Sequence, residues 1–488
     1  MFSARAAGPQ SWGSTLSPAS PTNAAALPHQ AEGATGQSTG QAASEVPVAR
    51  DPWRLNTALG MPEWLSLSGH VRARYETFTN QFRAGFSGNG DAVLLRTSLR
   101  ADARFAPGEA TLEILDSRLL IEADADTPIN TTIVNPLEIL QAYLGLRGED
   151  IVAEGNRGFL LAGRHTMNVG SRRLISRNRF RNTINSFTGI NATLDSTEGQ
   201  HVRAFFALPV RRRLAEPDDP DDGNIKIDDE TSDVRFWGLF ASSEELLPGL
   251  SGEIYYYDLD ETDEADLPTR NRRLSTAGLR VFRRPRPGEF DFEVEGVYQF
   301  GTSRATSADT DTTDLDHRAH FEHAEMGYSF HGAWKPRVVV QFDYASGDDD
   351  PNDGENNRFD TLFGSRRGEL GPTSIFGPFS RSNLVTPGVR LFLEPTANTD
   401  VMFADRFYYL ASETDAWVGT GVRDPSGQSG NHLGNLVELR WRWRPVPDNL
   451  TFDTGGAYLF KGSFAQDAPN ATGEGDSTFL YAQLTFTF

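Results

Sequence analysis

The chain has 488 residues, no cysteine and a formal charge of −21; disulfide frameworks, thiolate metal sites and cysteine nucleophiles are therefore excluded, and the acidity argues against nucleic acid as a partner. No stretch reaches the roughly 18 consecutive apolar residues of a helical membrane span. A transmembrane β-strand needs only about 9 to 11 residues with every second one apolar, so alternation rather than mean hydropathy is the property to test.

Residues 1–50 are rich in Ala, Ser, Gly, Pro and Gln and lack periodicity, which predicts a disordered N-terminal segment. The start Met1-Phe2-Ser3-Ala4-Arg5, followed by Gly8, Pro9 and Gln10, does not read as a secretory signal, which needs an apolar core. From Trp64 the texture changes to alternating segments separated by Gly, Pro, Asn and Asp clusters. In Leu65 to Glu76, Leu65, Leu67, Val71, Ala73 and Tyr75 share one face; Ser66, Ser68, His70, Arg72, Arg74 and Glu76 share the other. The next segment repeats the split, with Val93, Leu95, Leu99, Ala101, Ala103 and Phe105 against Arg96, Ser98, Arg100, Asp102 and Arg104. Further strands are predicted to start near Thr111, Pro136, Phe159, Phe187, His201, Val234, Gly252, Leu274, Phe290, His320, Arg337, Val389, Val401, Leu433, Thr451 and Phe479. The total is about 18 strands, an even number suited to a closed antiparallel barrel over residues 60–488. The acidic runs Asp218 to Asp222, Asp258 to Asp266 and Asp348 to Glu355 read as solvated loops.

The segment Leu433 to Pro445 separates a membrane barrel from a soluble sandwich most sharply. Val437, Leu439, Trp441 and Trp443 lie on one face, and Glu438, Arg440, Arg442 and Arg444 on the other. In an all-β transmembrane barrel the first face meets lipid and the second lines water; a one-residue slip places arginine in hydrocarbon at roughly 2 to 4 kcal/mol each near the midplane. Around Arg337 to Tyr344 the same logic opposes Val338, Val340, Phe342 and Tyr344 to Gln341 and Asp343. The chain stops on Leu480, Ala482, Leu484, Phe486 and Phe488 at alternate positions. Trp64, Tyr143, Trp334, Trp417 and Tyr458 are candidates for interfacial girdles.

Enzymatic chemistry has no positive signal. On a strand His317 and His323 face one way and His320 the other, so three imidazoles do not converge on a metal. The run from Asp348 to Asp353 misses the EF-hand pattern because its glycine falls at Gly354. There is no nucleophile elbow or P-loop, and no cofactor is indicated.

Three stretches resemble the alginate-export family of bacterial outer-membrane barrels. One is Gly163-Arg164 with Asn168 to Leu174 and Asn185 to Gly189; the second runs from Phe342-Asp343-Tyr344-Ala345-Ser346-Gly347-Asp348 to Arg358 through Phe363; the third passes through Leu433-Gly434-Asn435, Arg444-Pro445, Tyr458 to Phe460 and Tyr481 to Phe486. The resemblance spans about 64 to 488 and implies an outer-membrane location, with Phe488 resembling the terminal signal read by the barrel-assembly machinery. It also implies an arginine-lined pore for a polyuronate. The matching feature is the set of expected pore-lining arginines Arg72, Arg74, Arg96, Arg100, Arg440, Arg442 and Arg444, extended by Arg118, Arg164 and Arg390. Asp102, Asp116, Asp343 and Glu438 are expected to pair with some of them and keep anion binding shallow enough for exit. Export of an anionic polysaccharide such as alginate is the leading expectation and diffusive uptake of small anionic solutes the alternative; a third reading has the same arginines merely bracing a general porin.

Overall fold

The computed structural model describes residues 52–488 apart from 122–126, 216–222 and 264–267. The expectations for residues 1–50 and for Asp218 to Asp222 lie outside these. The wall consists of β1 (Leu65–Thr79), β2 (Gly90–Phe105), β3 (Gly108–Ile121), β4 (Asn135–Glu149), β5 (Arg157–His165), β6 (Phe187–Asp195), β7 (Gln200–Pro209), β8 (Val234–Leu247), β9 (Leu250–Glu261), β10 (Arg273–Arg283), β11 (Phe290–Ser303), β12 (Leu315–Ser329), β13 (Arg337–Ala345), β14 (Leu384–Thr396), β15 (Thr399–Tyr409), β16 (His432–Val446), β17 (Leu450–Lys461) and β18 (Ser477–Thr487). Each pairs antiparallel with the next, and β1 closes on β18 with Ala73 opposite Leu484, so the barrel is sealed without a free edge. The expected starts fall in these strands; those containing His320 and Val389 begin earlier, at Leu315 and Leu384.

Alternation is realised as lipid side against lumen side. On β16 Leu439 is 55% and Trp441 38% exposed, while Arg442 is 6% and Glu438 4% exposed. The same split holds on β1, where Val71 and Tyr75 are exposed and Arg72 and Arg74 buried, and on β13, where Val340 and Phe342 are exposed and Gln341 and Asp343 buried. Trp64, Trp334 and Tyr458 are exposed, as girdle residues should be. Two of the expected girdle residues are elsewhere. Tyr143 faces inward, where its hydroxyl meets Arg100 and Glu109. Trp417 is 2% exposed in a loop, its indole donating to the Pro378 carbonyl at 2.8 Å. The acidic run at Asp258 also begins inside β9 rather than in a loop.

One end of the barrel carries short turns such as 106–107, 248–249 and 397–398; the other carries the long connections, chief among them 166–186, 210–233, 346–383 and 410–431. Outer-membrane barrels keep short turns on the periplasmic side and long loops outside. The apolar core is not between sheets but inside the loop end of the lumen, where loop residues Phe359, Phe363, Phe376, Phe379 and Trp417 pack against wall residues Phe187, Phe236, Phe321 and Tyr408. Phe379 stacks on Tyr408 at 3.5 Å between centroids.

Candidate functional site: a constriction of two in-folded loops

The 166–186 and 346–383 loops fold into the barrel and join there. Ser176 N donates to the Phe363 carbonyl at 3.1 Å, Phe363 N to the Leu174 carbonyl at 2.9 Å and Ser365 N to the Arg172 carbonyl at 2.9 Å. Backbone polar groups inside the barrel need such partners, and each loop supplies them to the other. Arg173 nails the junction down: buried, it pairs with Glu293 of β11 at 2.6 Å, with Glu295 of the same strand and with Glu369 of the longer loop. Arg381 shares Glu369 at 2.6 Å. Burial alone raises the Glu369 carboxyl, but Arg173 and Arg381 outweigh it and hold it down at about 2.

The charges at this level divide into a paired and an unpaired set. Toward β11–β16 three guanidinia each have an acid: Arg390 meets Glu325 at 2.6 Å, Arg406 meets Asp343 at 2.6 Å and Arg367 meets Glu438 at 2.7 Å. Asp343 also accepts from His323 at 2.7 Å. His317 and His323 are inward and His320 outward, as the alternation predicts, and no metal-binding cluster occurs among the described residues. Toward β1–β5 the sequence Arg177-Asn178-Arg179-Phe180-Arg181 carries a cluster with little acid. Arg177 reaches Glu113 at 3.3 Å, whereas the side chains of Arg172, Arg179 and Arg181 make no ion pair or hydrogen bond among the described residues, and Arg366 donates only to the Phe379 carbonyl. Burial first, then Arg177, lowers Arg179 to about 9; burial, then Arg366, lowers Arg181 to about 9. Both remain cationic at neutral pH; the lowering is chiefly the cost of burial, with neighbouring arginines adding to it.

Of the expected pore residues, Arg72, Arg74, Arg96, Arg100, Asp102, Asp343, Arg390, Glu438, Arg440, Arg442 and Arg444 lie on the lumen side. Three do not. Asp116 and Arg118 share the face of β3 with exposed Leu112 and Leu120, and bond each other at 2.9 Å on the outside. Arg164 lies opposite Ala142 on the outer face of β5 and reaches Glu230 of the 210–233 connection. Alternation is unbroken around all three, Asp116 and Arg118 continuing the outward face of Leu112 and Ile114 on β3, and Arg164 that of Leu160 and Ala162 on β5; a charged side chain on a wall strand is not by itself a lumen residue. Near the turn end lumen side chains open to water, Arg147 being 55% and Arg444 31% exposed, while Arg72 beside the loops is 2% exposed. The loop arginines were missed because loops have no period, although five arginines between Arg172 and Arg181 were signal enough.

A family model described as alginate export matches residues 63–477. The chain belongs to the alginate-export family. No curated protein matches it. Solved structures share the fold at low identity: OccD3 (OpdP) of Pseudomonas aeruginosa is 12% identical with a TM-score of 0.54, covering 87% of this chain and 92% of that one. OccAB1 of Acinetobacter baumannii is 10% identical with a TM-score of 0.55, covering 87% and 97%. OpdK of Pseudomonas aeruginosa, solved with vanillate, is 10% identical with a TM-score of 0.53, covering 86% and 99%. This alginate-export family member is thus an outer-membrane channel protein, with its loop constriction lying across the lumen.

Proposed function

We propose that the channel selects anions and passes an anionic polysaccharide such as alginate. The observation that carries this is the set Arg172, Arg179, Arg181 and Arg366, whose guanidinia make no ion pair among the described residues. In a narrow lumen such charges concentrate carboxylate-bearing solute, and the paired arginines nearby keep each contact weak enough for exit. A second reading, uptake of small anionic solutes, is favoured by how completely the loops cover the wall at their level, Arg72 and Arg74 being nearly inaccessible. Membrane lipid around the apolar belt, and the barrel-assembly machinery acting on the strand that ends at Phe488, are the further partners proposed.

Reversal potentials in a planar bilayer under a salt gradient test the selectivity. A unit charge at about 4 Å in watery surroundings is worth about 1 kcal/mol, so R179Q/R181Q should lower the anion-to-cation permeability ratio by about fivefold per charge. Polyuronate should block the wild-type current more strongly than the variant's; block by the monomer with none by the polymer selects the small-solute reading. A wild-type pore that prefers cations ends both.

A further inference from the structure

Segment 179–182 of the shorter loop lies against β1, β2 and β3, and each of its four successive carbonyls accepts a hydrogen bond from a wall side chain. Arg72 donates through Nη1 to the Arg179 carbonyl at 3.0 Å and the Phe180 carbonyl at 3.3 Å, and through Nη2 to the Arg181 carbonyl at 3.0 Å and Asn182 Oδ1 at 2.8 Å. Arg96 Nη1 donates to the carbonyls of Arg179 at 2.9 Å and Arg181 at 3.1 Å. Arg74 reaches the Phe180 carbonyl, and Ser117 Oγ donates to the Asn182 carbonyl at 2.8 Å. Asn182 Nδ2 donates in return to the Leu95 carbonyl at 3.2 Å. The Phe180 ring lies between two guanidinia, Arg74 at 4.4 Å and Arg367 of the longer loop at 4.6 Å, with Tyr481 edge-on at 5.6 Å.

Arg72 and Arg96 stand directly opposite each other in the β1–β2 register. Like charges in that position repel; a row of carbonyl oxygens shared between them offsets the repulsion. A guanidinium, with its planar fork of five donors, spans several carbonyls at once, which a lysine ammonium on one point does not.

We propose that Arg72, Arg74 and Arg96 are positioning residues: a carbonyl clamp that pins segment 179–182 to the wall and thereby sets the bore of the channel, leaving Arg179 and Arg181 to meet the solute. This rests on the reading of the two loops as the permeation constriction, but not on which ions pass. It separates two jobs that a lumen arginine performs. A charge acting on solute survives replacement by lysine; a fork holding a loop does not.

The test compares R72K/R96K with R72Q/R96Q in single-channel recordings of the full chain. Both pairs should raise unitary conductance by about twofold and add rapid flicker as the loop is released. Lysine channels identical to wild type alongside glutamine channels shifted toward cations would show that the charges act on solute directly, overturning the clamp. Unchanged conductance in both pairs overturns it as well. If either pair fails to insert, N182A removes clamp bonds without changing charge: a wider, noisier pore supports the proposal and a wild-type trace refutes it. A cation-selective wild type defeats the anion reading alone, since the clamp is read from conductance.

Discussion

At Arg440, Arg442 and Arg444 the guanidinia meet Asp400 and Asp453, at 3.7 Å, 3.0 Å and 2.6 Å for the nearest contact of each, so these residues bring their own counter-charge. Arg179 and Arg181 make no ion pair among the described residues. R440Q/R442Q should accordingly move the reversal potential much less than R179Q/R181Q, although strand alternation alone ranks the β16 arginines first; equal shifts from the two pairs would contradict this ordering. Arg173 is the residue whose loss should cost most, because removal leaves the crowded carboxylates of Glu293 and Glu369 with only Arg280 and Arg381, and Glu295 with no ion pair among the described residues. Breaking a buried pair from one side costs about 3–5 kcal/mol, so R173M should lower the urea midpoint for unfolding from detergent, and an unchanged midpoint would show the junction is held by backbone bonds alone. The pH dependence has a definite sign. Glu369 is held at about 2 against an ordinary value of 4.5, so its contribution is fully present above 4.5 and is lost as pH falls toward about 2. Conductance should stay constant on acidification to about pH 4.5 and rise only as pH approaches 2. Most lumen residues on regular strands were legible, Asp116, Arg118 and Arg164 excepted; their partners were not, because partners such as Asp400 for Arg444 come from a neighbouring strand whose register alternation alone does not state.

At the scale of elements, β16 presents Leu439, Trp441 and Trp443 to lipid and Arg440 and Arg442 to the lumen. L439R puts a charge on the lipid face, at about 2–4 kcal/mol near the midplane. Folding into detergent followed by gel mobility should show a depleted folded band for L439R and a normal one for L439A; equal yields would place Leu439 off the lipid face. The wall strands could be read from alternation because lipid and lumen impose opposite chemistry on successive residues. Asp116, Arg118 and Arg164 show that charge is a poorer guide than phase: they continue the outward faces of Leu112 and Ile114 on β3 and of Leu160 and Ala162 on β5, and Arg164 finds its acid, Glu230, in a long connection. Trp417 illustrates the reverse failure. As a large aromatic near a strand end it looks like a girdle residue, yet it packs with Phe82 and Phe379, its ring centroid 5.6 Å and 5.8 Å from theirs.

For the whole molecule, a sealed barrel with every strand paired to two neighbours should run as a compact, heat-modifiable band and give a β-dominated circular dichroism spectrum in detergent. Alternation from Leu65 to Phe488 by itself determined that the chain closes into an all-β barrel of about 18 strands with a greasy outside and a charged inside. Each strand reports its own two environments locally, and no other architecture satisfies them all. What only the tertiary structure decided is the interior: that two loops far apart in sequence meet through Arg172 to Ser176 and Phe363 to Ser365, that Arg173 binds them to β11, and that wall arginines divide between clamping carbonyls and pairing acids. A lumen has two free ends and no period of its own, so which loop enters it and which guanidinium is left unpaired depend on contacts between residues more than a hundred positions apart, as Arg72 and Asn182 are.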